Sequence, residues 1–264
     1  MRAVILAAGR GTRLNGHASD APKALLPIGG LTMIDRQIRA LRETGVDEVA
    51  VVVGCRAEEV RRRCGPGVAY VENTAYARTN SLYSLWLARD LLRGGCLVLN
   101  CDVLFHPQLL ADLITARHEC ALLVAYRDPS APPFGDEEMK VRVRGGRVQE
   151  MGKTLGGDAD AENVGIARFD APAIPALTRA LDAIVTAGGD REWAPRAFAA
   201  VAAERPVWAI GTRGFPWIEV DFPEDYDRAL AEILPLIDAD APARHSRPAD
   251  TAAGGRGLVR AANR

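Results

Sequence analysis

Three acidic side chains in this sequence have the type and spacing expected of metal ligands. Asp102 follows directly after an apolar segment at residues 96–99, and Glu219 and Asp221 lie two residues apart in a later segment. Residues two apart on a strand point to the same face, so Glu219 and Asp221 can reach one metal ion. A hard cation such as Mg²⁺ takes carboxylate oxygens, and in phosphoryl transfer it neutralises charge between phosphates. The simpler alternatives are a solvated turn residue for Asp102 and a helix-start acidic residue for Asp221.

Nearly all basic side chains of this protein are arginines. Of 33 basic residues only Lys23, Lys140 and Lys153 are lysines, so arginine supplies the general positive charge of the protein. Each lysine is therefore a candidate for a task that needs a compact ammonium group. Lys140 alternates with Arg142 and Arg144 in a predicted strand, which indicates a surface residue. Lys153 ends a predicted hairpin, where the alternative is an ordinary solvated side chain.

A glycine-containing loop follows the first apolar segment. Its sequence runs Leu6-Ala7-Ala8-Gly9-Arg10-Gly11-Thr12-Arg13-Leu14, and Pro22-Lys23 comes shortly after it. The loop matches neither the dinucleotide-binding fingerprint nor the P-loop. In a parallel sheet it would lie at the carboxyl end of the first strand, where ligands bind and bare backbone N–H groups can face an anion. The alternative is a plain loop with solvated arginines.

The elements that position these residues follow an alternating pattern. Buried strands are predicted at residues 3–8, 49–53 and 96–99, helices with one apolar face at 33–44 and 80–92, and a short polar helix at 57–63. This order predicts a parallel sheet with helical crossovers. The second half predicts a hairpin at 140–150, a strand at 163–169, helices near 173–187 and 192–202, strands near 207–210 and 217–220, and a last helix from Pro223. We expect one domain over residues 1–237 and a disordered tail at 238–264.

Composition excludes several classes of protein. With 264 residues, 48% hydrophobic and 25% charged, the chain is neither disordered nor collagen-like. A net charge of −1 gives no case for a nucleic-acid partner, and strand-sized apolar segments predict no membrane span. No signal peptide is recognisable, and five cysteines without a C-x-x-C pair suggest buried thiols, so we expect a cytoplasmic protein. A homo-oligomer stays open.

The glycine loop resembles a family signature. The run L-A-A-G-x-G-T-R-L with a downstream P-K-A-L-L is similar to that of nucleotidyltransferases, which couple a nucleoside triphosphate to a sugar phosphate or a small phosphorylated alcohol. The resemblance implies an α/β fold, a GT-A-like Rossmannoid three-layer α/β/α arrangement with a mostly parallel mixed central sheet. It also implies that Lys23 meets the α-phosphate and Arg13 the departing pyrophosphate. The nucleotide would lie on Leu6, Ala7, Ala8, Gly9, Gly11 and Thr12.

Two further segments narrow the resemblance. The pattern W-I-E-x-D-x-P-E-D-Y at residues 217–226 resembles the metal-binding end of cytidylyltransferases that act on phosphocholine and on phosphonates. It implies that Asp102 and Asp221, with Glu219, hold Mg²⁺, although many sugar-phosphate enzymes have Gly-Asp where this chain has Cys-Asp. Residues 76–85 resemble the segment that flanks the nucleotide in phosphocholine enzymes, which implies nucleotide contacts for Asn80 and Ser81. The alternative for Asn80 is a helix N-cap.

The acceptor side is also implied by the family. Lys153 matches the lysine that meets the acceptor phosphate, and Gly165 matches a glycine that lets the acceptor approach the backbone. Trp193 and Trp217, with Glu192 nearby, can shape a pocket for a cationic or small polar head group. Core packing is the alternative for either tryptophan.

The resulting hypothesis is a Mg²⁺-dependent transferase that moves a cytidylyl group from CTP to a small phosphate or phosphonate. Acceptors such as phosphocholine or 2-aminoethylphosphonate are expected, with pyrophosphate released. One alternative is a sugar-1-phosphate nucleotidylyltransferase. A regulatory subunit that senses nucleotides without catalysis is the alternative of another class.

Overall fold

The computed structural model describes residues 1–14 and 22–239. Short 3-10 turns lie at Thr12–Leu14, Lys23–Leu25, Arg89–Leu92 and Ala171–Ala173. The strands are β1 (Arg2–Ala7), β2 (Pro27–Ile28), β3 (Leu31–Thr32), β4 (Val49–Val53), β5 (Ala69–Glu72), β6 (Gly95–Asn100), β7 (Val103–Phe105), β8 (Cys120–Tyr126), β9 (Lys140–Arg144), β10 (Arg147–Gly152), β11 (Ala161–Asp170), β12 (Trp208–Gly211) and β13 (Trp217–Glu219). The helices are α1 (Met33–Glu43), α2 (Ala57–Cys64), α3 (Ser81–Leu87), α4 (Pro107–Thr115), α5 (Ile174–Thr186), α6 (Pro195–Glu204), α7 (Pro223–Arg228) and α8 (Leu234–Ala239).

The first half of the chain forms the parallel part of the sheet. Strands β5, β4, β1 and β6 lie side by side in that order and all run in the same direction. The apolar runs of β1, β4 and β6 are buried on both faces, as in a sheet covered by helices on each side. Helix α1 begins at a capping box in which Thr32 and Asp35 satisfy each other's backbone N–H groups. The predicted β-α-β-α start is confirmed.

The second half adds strands of mixed direction to the same sheet. Strand β11 runs antiparallel to β6 and to β8, whereas β12 runs parallel to β8. The hairpin β9–β10 is antiparallel as predicted, and β9 also pairs with the start of β11. The sheet order is therefore β5-β4-β1-β6-β11-β8-β12-β10-β9. The predicted mixed central sheet is confirmed, but it is not mostly parallel, because four of its described strand pairings are parallel and five are antiparallel.

Two buried clusters cover the two faces of the sheet. Val4 and Leu6 point to one face with α3, α5 and α6, while Ala3 and Ile5 point to the other with α1, α2 and α4. This alternation of neighbouring residues produces the three-layer α/β/α arrangement. A third cluster joins the C-terminal helix to the site region, and it contains Leu26, Ile28, Val220, Leu234 and Ile237.

Two helices differ from their predicted form. The predicted helix at 80–92 is α3 followed by a 3-10 turn at Arg89–Leu92, and the last helix contains a π-helical turn at Ala229–Ile233 between α7 and α8. Helix α8 ends at Ala239, two residues past the expected domain boundary. The rest of the expected tail, residues 240–264, lies outside the described residues. Within the described ranges, every helix is too short or too polar to cross a membrane.

Candidate active site

A cleft opens at the carboxyl ends of the parallel strands β1 and β6, where ligands of open α/β sheets bind. It brings together most of the residues singled out from the sequence. They are Leu6, Ala8, Gly9, Gly11, Arg13, Lys23, Asn80, Ser81, Asp102, Lys153, Trp193, Glu219 and Asp221. Side chains from both ends of the chain thus line one concave surface.

Four predicted binding residues are not among the lining residues: Ala7, Gly165, Glu192 and Trp217. Ala7 is buried and packs on the opposite face of the sheet, because strand residues alternate between faces. Gly165 has a φ of +85°, and a Cβ there would lie 3.0 Å from Nδ2 of Asn100. The close approach of β11 to the end of β6 therefore accounts for the glycine. The side chain of Thr12 lies outside the described residues.

Trp217 and Glu192 have structural roles. Trp217 pairs with Phe105 across the β7–β13 ladder and packs against the core, which was the alternative considered for it. Glu192 contributes its backbone, since its carbonyl accepts a hydrogen bond from the N–H of Leu82 at 3.1 Å. This bond fastens the loop before α6 to the start of α3.

The three candidate metal ligands converge. Each of Asp102, Glu219 and Asp221 offers one carboxylate oxygen, and the three oxygens lie within 4.8 Å of one another. The antiparallel pairing of β7 with β13 produces this arrangement, because it places Glu219 opposite Val103. The N–H of Val220 then donates to the carbonyl of Asp102 at 2.9 Å. Segments more than 100 residues apart in sequence are thus joined through their backbones beside the site.

Two side chains that the sequence reasoning missed hold these segments in place. Gln37 of α1 is 1% exposed, and its Nε2 donates to the carbonyls of Asn100 at 2.8 Å and of Val103 at 2.9 Å. These two residues flank the tight turn that carries Asp102. With the amide flipped, an oxygen would face both carbonyls, so the orientation is fixed chemically. The signal in the sequence is a polar residue at a buried position of an otherwise apolar helix face.

Asp225 holds the other aspartate. Its Oδ2 accepts hydrogen bonds from the N–H groups of Asp221 at 3.1 Å and Phe222 at 2.9 Å. Asp225 lies in the first turn of α7, where an acidic side chain favours the helix N-terminus. Its contacts show that it supports the start of α7 and the backbone of Asp221 together.

Lys23 lies among the carboxylates. Its Nζ contacts Asp221 and lies 3.4 Å from Asp102, and its side chain is 14% exposed. Burial lowers the pKa of the Lys23 ammonium, but the carboxylates of Asp102 and Asp221 outweigh burial and hold the pKa above its ordinary value. Gly11 permits this position, because a Cβ there would lie 2.7 Å from Cγ of Lys23. The glycine loop is therefore packed directly on the lysine.

The donor set fits a hard divalent cation. Oδ1 of Asp102 is buried without a hydrogen-bond partner among the described residues, which leaves a carboxylate oxygen free for a ligand. The pKa of Glu219 is raised to about 8. The main cause is removal of its carboxyl group from water within the cleft, and the second is repulsion by the Asp102 and Asp221 carboxylates. The rest of the residue is exposed along the cleft. Three crowded carboxylates are costly without a cation, and oxygen ligands of this kind suit Mg²⁺.

One wall of the cleft follows the carboxyl ends of β5 and β1. The buried Asn73 donates to Thr79 at 3.1 Å and to Ser84 at 3.0 Å, which ties the loop after β5 to α3. Asn80 caps α3, since its Oδ1 accepts from the N–H of Ser81 at 2.8 Å. Ser81 in turn accepts from the N–H of Ala194 at 2.9 Å. The capping alternative for Asn80 is thus confirmed, and Asn80 still lines the cleft.

The opposite wall carries Lys153. Its Nζ lies 3.1 Å from Glu137 and 5.0 Å from the ring centre of Trp193, a side chain that is 43% exposed. Glu137 also pairs with Arg13 at 3.3 Å, and Arg13 reaches Asp221 at 3.4 Å. The Lys153 ammonium first, and then Arg13, lower the pKa of Glu137 below its ordinary value. Glu137 was not predicted, because it lies in an irregular Pro-rich region without periodicity.

The expectation that Lys140 is a surface residue is wrong. Its side chain is 2% exposed, and its Nζ donates to the backbone carbonyl of Lys153 at 2.6 Å. The alternation with Arg142 and Arg144 correctly indicated a strand. It misassigned the faces, because the pairing of β9 with both β10 and β11 covers the end of β9 that carries Lys140.

Comparison with known proteins identifies the family of this chain. The model of the MobA-like NTP transferase domain matches residues 3–213. A bifunctional IPC transferase and DIPP synthase from Rubrobacter xylanophilus is 35% identical over 84% of this chain, which spans 50% of that protein. A choline-phosphate cytidylyltransferase from Streptococcus pneumoniae is 27% identical over 89% of this chain and 98% of the relative.

A solved structure extends the agreement to the fold. The inositol-1-phosphate CTP transferase from T. maritima superposes with a TM-score of 0.72 over 92% of this chain and 98% of that chain, at 20% identity. At this identity the likeness concerns the fold. The family model covers most of the chain, including the glycine loop, Lys23, Asp102 and Lys153. The chain belongs to the family of MobA-like NTP transferase domains.

Proposed function

We propose that this protein transfers the cytidylyl group of CTP to a small phosphate or phosphonate and releases pyrophosphate. The observation that carries the proposal is the convergence of Asp102, Glu219 and Asp221 around Lys23, between a glycine loop and the Lys153 wall. A nucleotide and a second anion can be held on either side of these carboxylates. The relative from S. pneumoniae is named as a choline-phosphate cytidylyltransferase, which supports both substrates.

The chain's own residues divide the work. Asp102, Asp221 and Glu219 would hold Mg²⁺, which when bound supplies positive charge beside the phosphates. Lys23 leaves its contact with Asp221 and stabilises the negative charge that develops at the α-phosphate. Arg13 binds the departing pyrophosphate from the glycine loop.

The acceptor needs positioning more than activation. A phosphate or phosphonate oxygen is already largely anionic near neutral pH, so no general base is needed for attack on the α-phosphorus. Lys153 binds this anion and orients the attacking oxygen. The exposed face of Trp193 suits a cationic head group such as choline or an aminoethyl group.

A substrate matrix tests the proposal. Each of CTP, UTP, GTP and ATP is incubated with Mg²⁺ and with phosphocholine, 2-aminoethylphosphonate, inositol 1-phosphate or glucose 1-phosphate, while pyrophosphate release is followed. We expect release with CTP and with an acceptor other than the hexose phosphate. Turnover only with glucose 1-phosphate would identify a sugar-phosphate enzyme instead. No release from any pair would favour a regulatory subunit.

A further inference from the structure

Lys140 is a buried lysine that the proposed chemistry does not use. It begins β9, where it lies opposite Gly152 of β10 on one side and Glu162 of β11 on the other. Removing an ammonium group from water is costly, so lysines are seldom fully buried without a specific partner. In a chain with only three lysines, this one is 2% exposed. The position therefore calls for an explanation in terms of what the ammonium contacts.

The contact is the backbone of Lys153. Strand β10 ends at Gly152, so the carbonyl of Lys153 has left the ladder of strand pairing. A carbonyl at such a position needs a donor, and Nζ of Lys140 supplies one at 2.6 Å. A hydrogen bond from a charged donor is stronger than one from a neutral donor. The turn that presents Lys153 is thus fastened to the start of β9.

The same segment also holds the other end of Lys153. Glu137, three residues before Lys140, accepts from Nζ of Lys153 at 3.1 Å. Between them, the carbonyl of Met139 accepts from the N–H of Asn163 at 2.8 Å, which fixes the segment to β11. Residues 137–140 therefore contact both the backbone carbonyl and the ammonium group of Lys153.

We propose that Lys140 is a positioning residue that sets where the Lys153 ammonium lies in the cleft. It acts from behind the cleft wall, through the carbonyl of Lys153, and touches neither substrate. The inference rests on the proposed function in one respect, the role of Lys153 in binding the acceptor. It assigns a purpose on the acceptor side to the third lysine of the chain.

The substitution Lys140→Met separates this role from a structural one. Methionine fills a similar volume without a charge, so the cost of burying an ammonium group disappears while the carbonyl of Lys153 loses its donor. We therefore expect at most a modest fall in the melting temperature together with a KM for the acceptor that is raised about tenfold. The KM for CTP should stay within about twofold of wild type, because the donor side is untouched. Lys140→Gln, which keeps a donor on a shorter stem, should recover part of the loss.

The scarcity of lysine permits a measurement that does not need turnover. Protein labelled with carbon-13 at the lysine Cε position gives three lysine signals, one for each of the lysines in the chain. Titration with phosphocholine should move the Lys153 signal in the wild type. In Lys140→Met the Lys153 signal should shift before any addition, and saturation should need about ten times more phosphocholine. Arg144→Met, an exposed site on the same strand, is the matched control and should behave as wild type.

The outcomes distinguish the two proposals. If Lys153→Ala raises the acceptor KM but Lys140→Met leaves both that KM and the Lys153 signal unchanged, the role of Lys140 is overturned and the proposed function stands. If Lys153→Ala leaves the acceptor KM unchanged, the assignment of Lys153 in the proposed function fails. A Lys140→Met protein that loses stability and raises both KM values equally would show a merely structural lysine.

Discussion

Two regions of the cleft are built differently. In the region of the three carboxylates, the proposed metal side, the backbone around Asp102 and Asp221 is held by hydrogen bonds with Gln37 and Asp225 and by the β7–β13 ladder. On the acceptor side, Lys153 is held at its ammonium by Glu137, whose side chain is 59% exposed, and lies beside the exposed Trp193. Buried hydrogen bonds are costly to break, whereas exposed ion pairs contribute little to stability. The metal side is therefore fixed, and the acceptor side can be altered without disturbing the fold.

This contrast has a chemical meaning. In the proposed reaction, the carboxylates, Lys23 and the α-phosphate must stay in one geometry, because small displacements of reacting groups reduce a rate strongly. The acceptor needs only to be bound and oriented, and a solvated ion-pair network can be adapted to different head groups. Lys140 is the exception on the acceptor side, because it anchors Lys153 from the interior.

The largest effect is expected on the metal side, from Asp102→Ala. Loss of a ligand with a buried, unpaired oxygen should lower metal-dependent turnover by a factor on the order of 10³ or more. Turnover is measured against Mg²⁺ concentration, with the exposed Asp90→Ala as the control. A turnover close to wild type would remove the basis for distinguishing the two regions.

A smaller effect is expected from Gln37→Met, which removes both donors to the Asp102 turn. The carbonyls of Asn100 and Val103 would lose their partner, so the free energy of unfolding should fall by about 1–3 kcal/mol. The displaced turn should also weaken Mn²⁺ binding about tenfold, which a titration followed by electron paramagnetic resonance measures. Gln149→Met, at an exposed site on β10, is the control. Unchanged Mn²⁺ binding in a destabilised protein would limit Gln37 to folding.

On the acceptor side, Glu137→Gln should have a modest effect, and it should strengthen acceptor binding, whereas the two preceding substitutions impair the site. The carboxylate of Glu137 pairs with Lys153 and Arg13, and its removal frees both cations for substrate anions. We expect the KM for the acceptor to fall about threefold with little change in the melting temperature, as for other exposed pairs. Glu43→Gln, which removes another exposed pair, is the control. A large loss of stability would contradict the description of this wall as adaptable.

The last effect is a pH dependence of the free energy of unfolding, which arises at Glu162 of β11 beside Lys140. The pKa of Glu162 is raised to about 7 from a usual value of 4.5, mainly by burial and secondly by repulsion from the Glu138 carboxylate. The protonated form is thus favoured in the folded state, and its stabilising contribution is lost as pH rises from 4.5 through 7. Chemical denaturation of wild type and Glu162→Gln across this range should show a flatter decline for the variant. Parallel curves would exclude Glu162 as a source of the dependence.

The sequence predicted most of the regular elements and the convergence of the three carboxylates. Strand β4 has the predicted bounds, and Glu219 and Asp221 reach the same site as Asp102, because apolar periodicity and a two-residue spacing are local signals. When a side chain is buried by strands that lie far away in sequence, its neighbours in sequence carry no signal of that burial. Lys140 was placed on the wrong face for this reason, and Gln37 and Glu137 were missed because their partners lie far away in sequence.

We expect this protein to transfer the cytidylyl group of CTP, which is the α-phosphate together with the nucleoside. Two samples of CTP, one carrying phosphorus-32 at the α position and one at the γ position, are incubated with Mg²⁺ and the acceptor chosen by the substrate matrix. The label of the α sample should appear in a product that contains the acceptor, and the label of the γ sample should appear in pyrophosphate. Transfer of the γ label to the acceptor, or release of the α label as CMP without acceptor, would contradict the account.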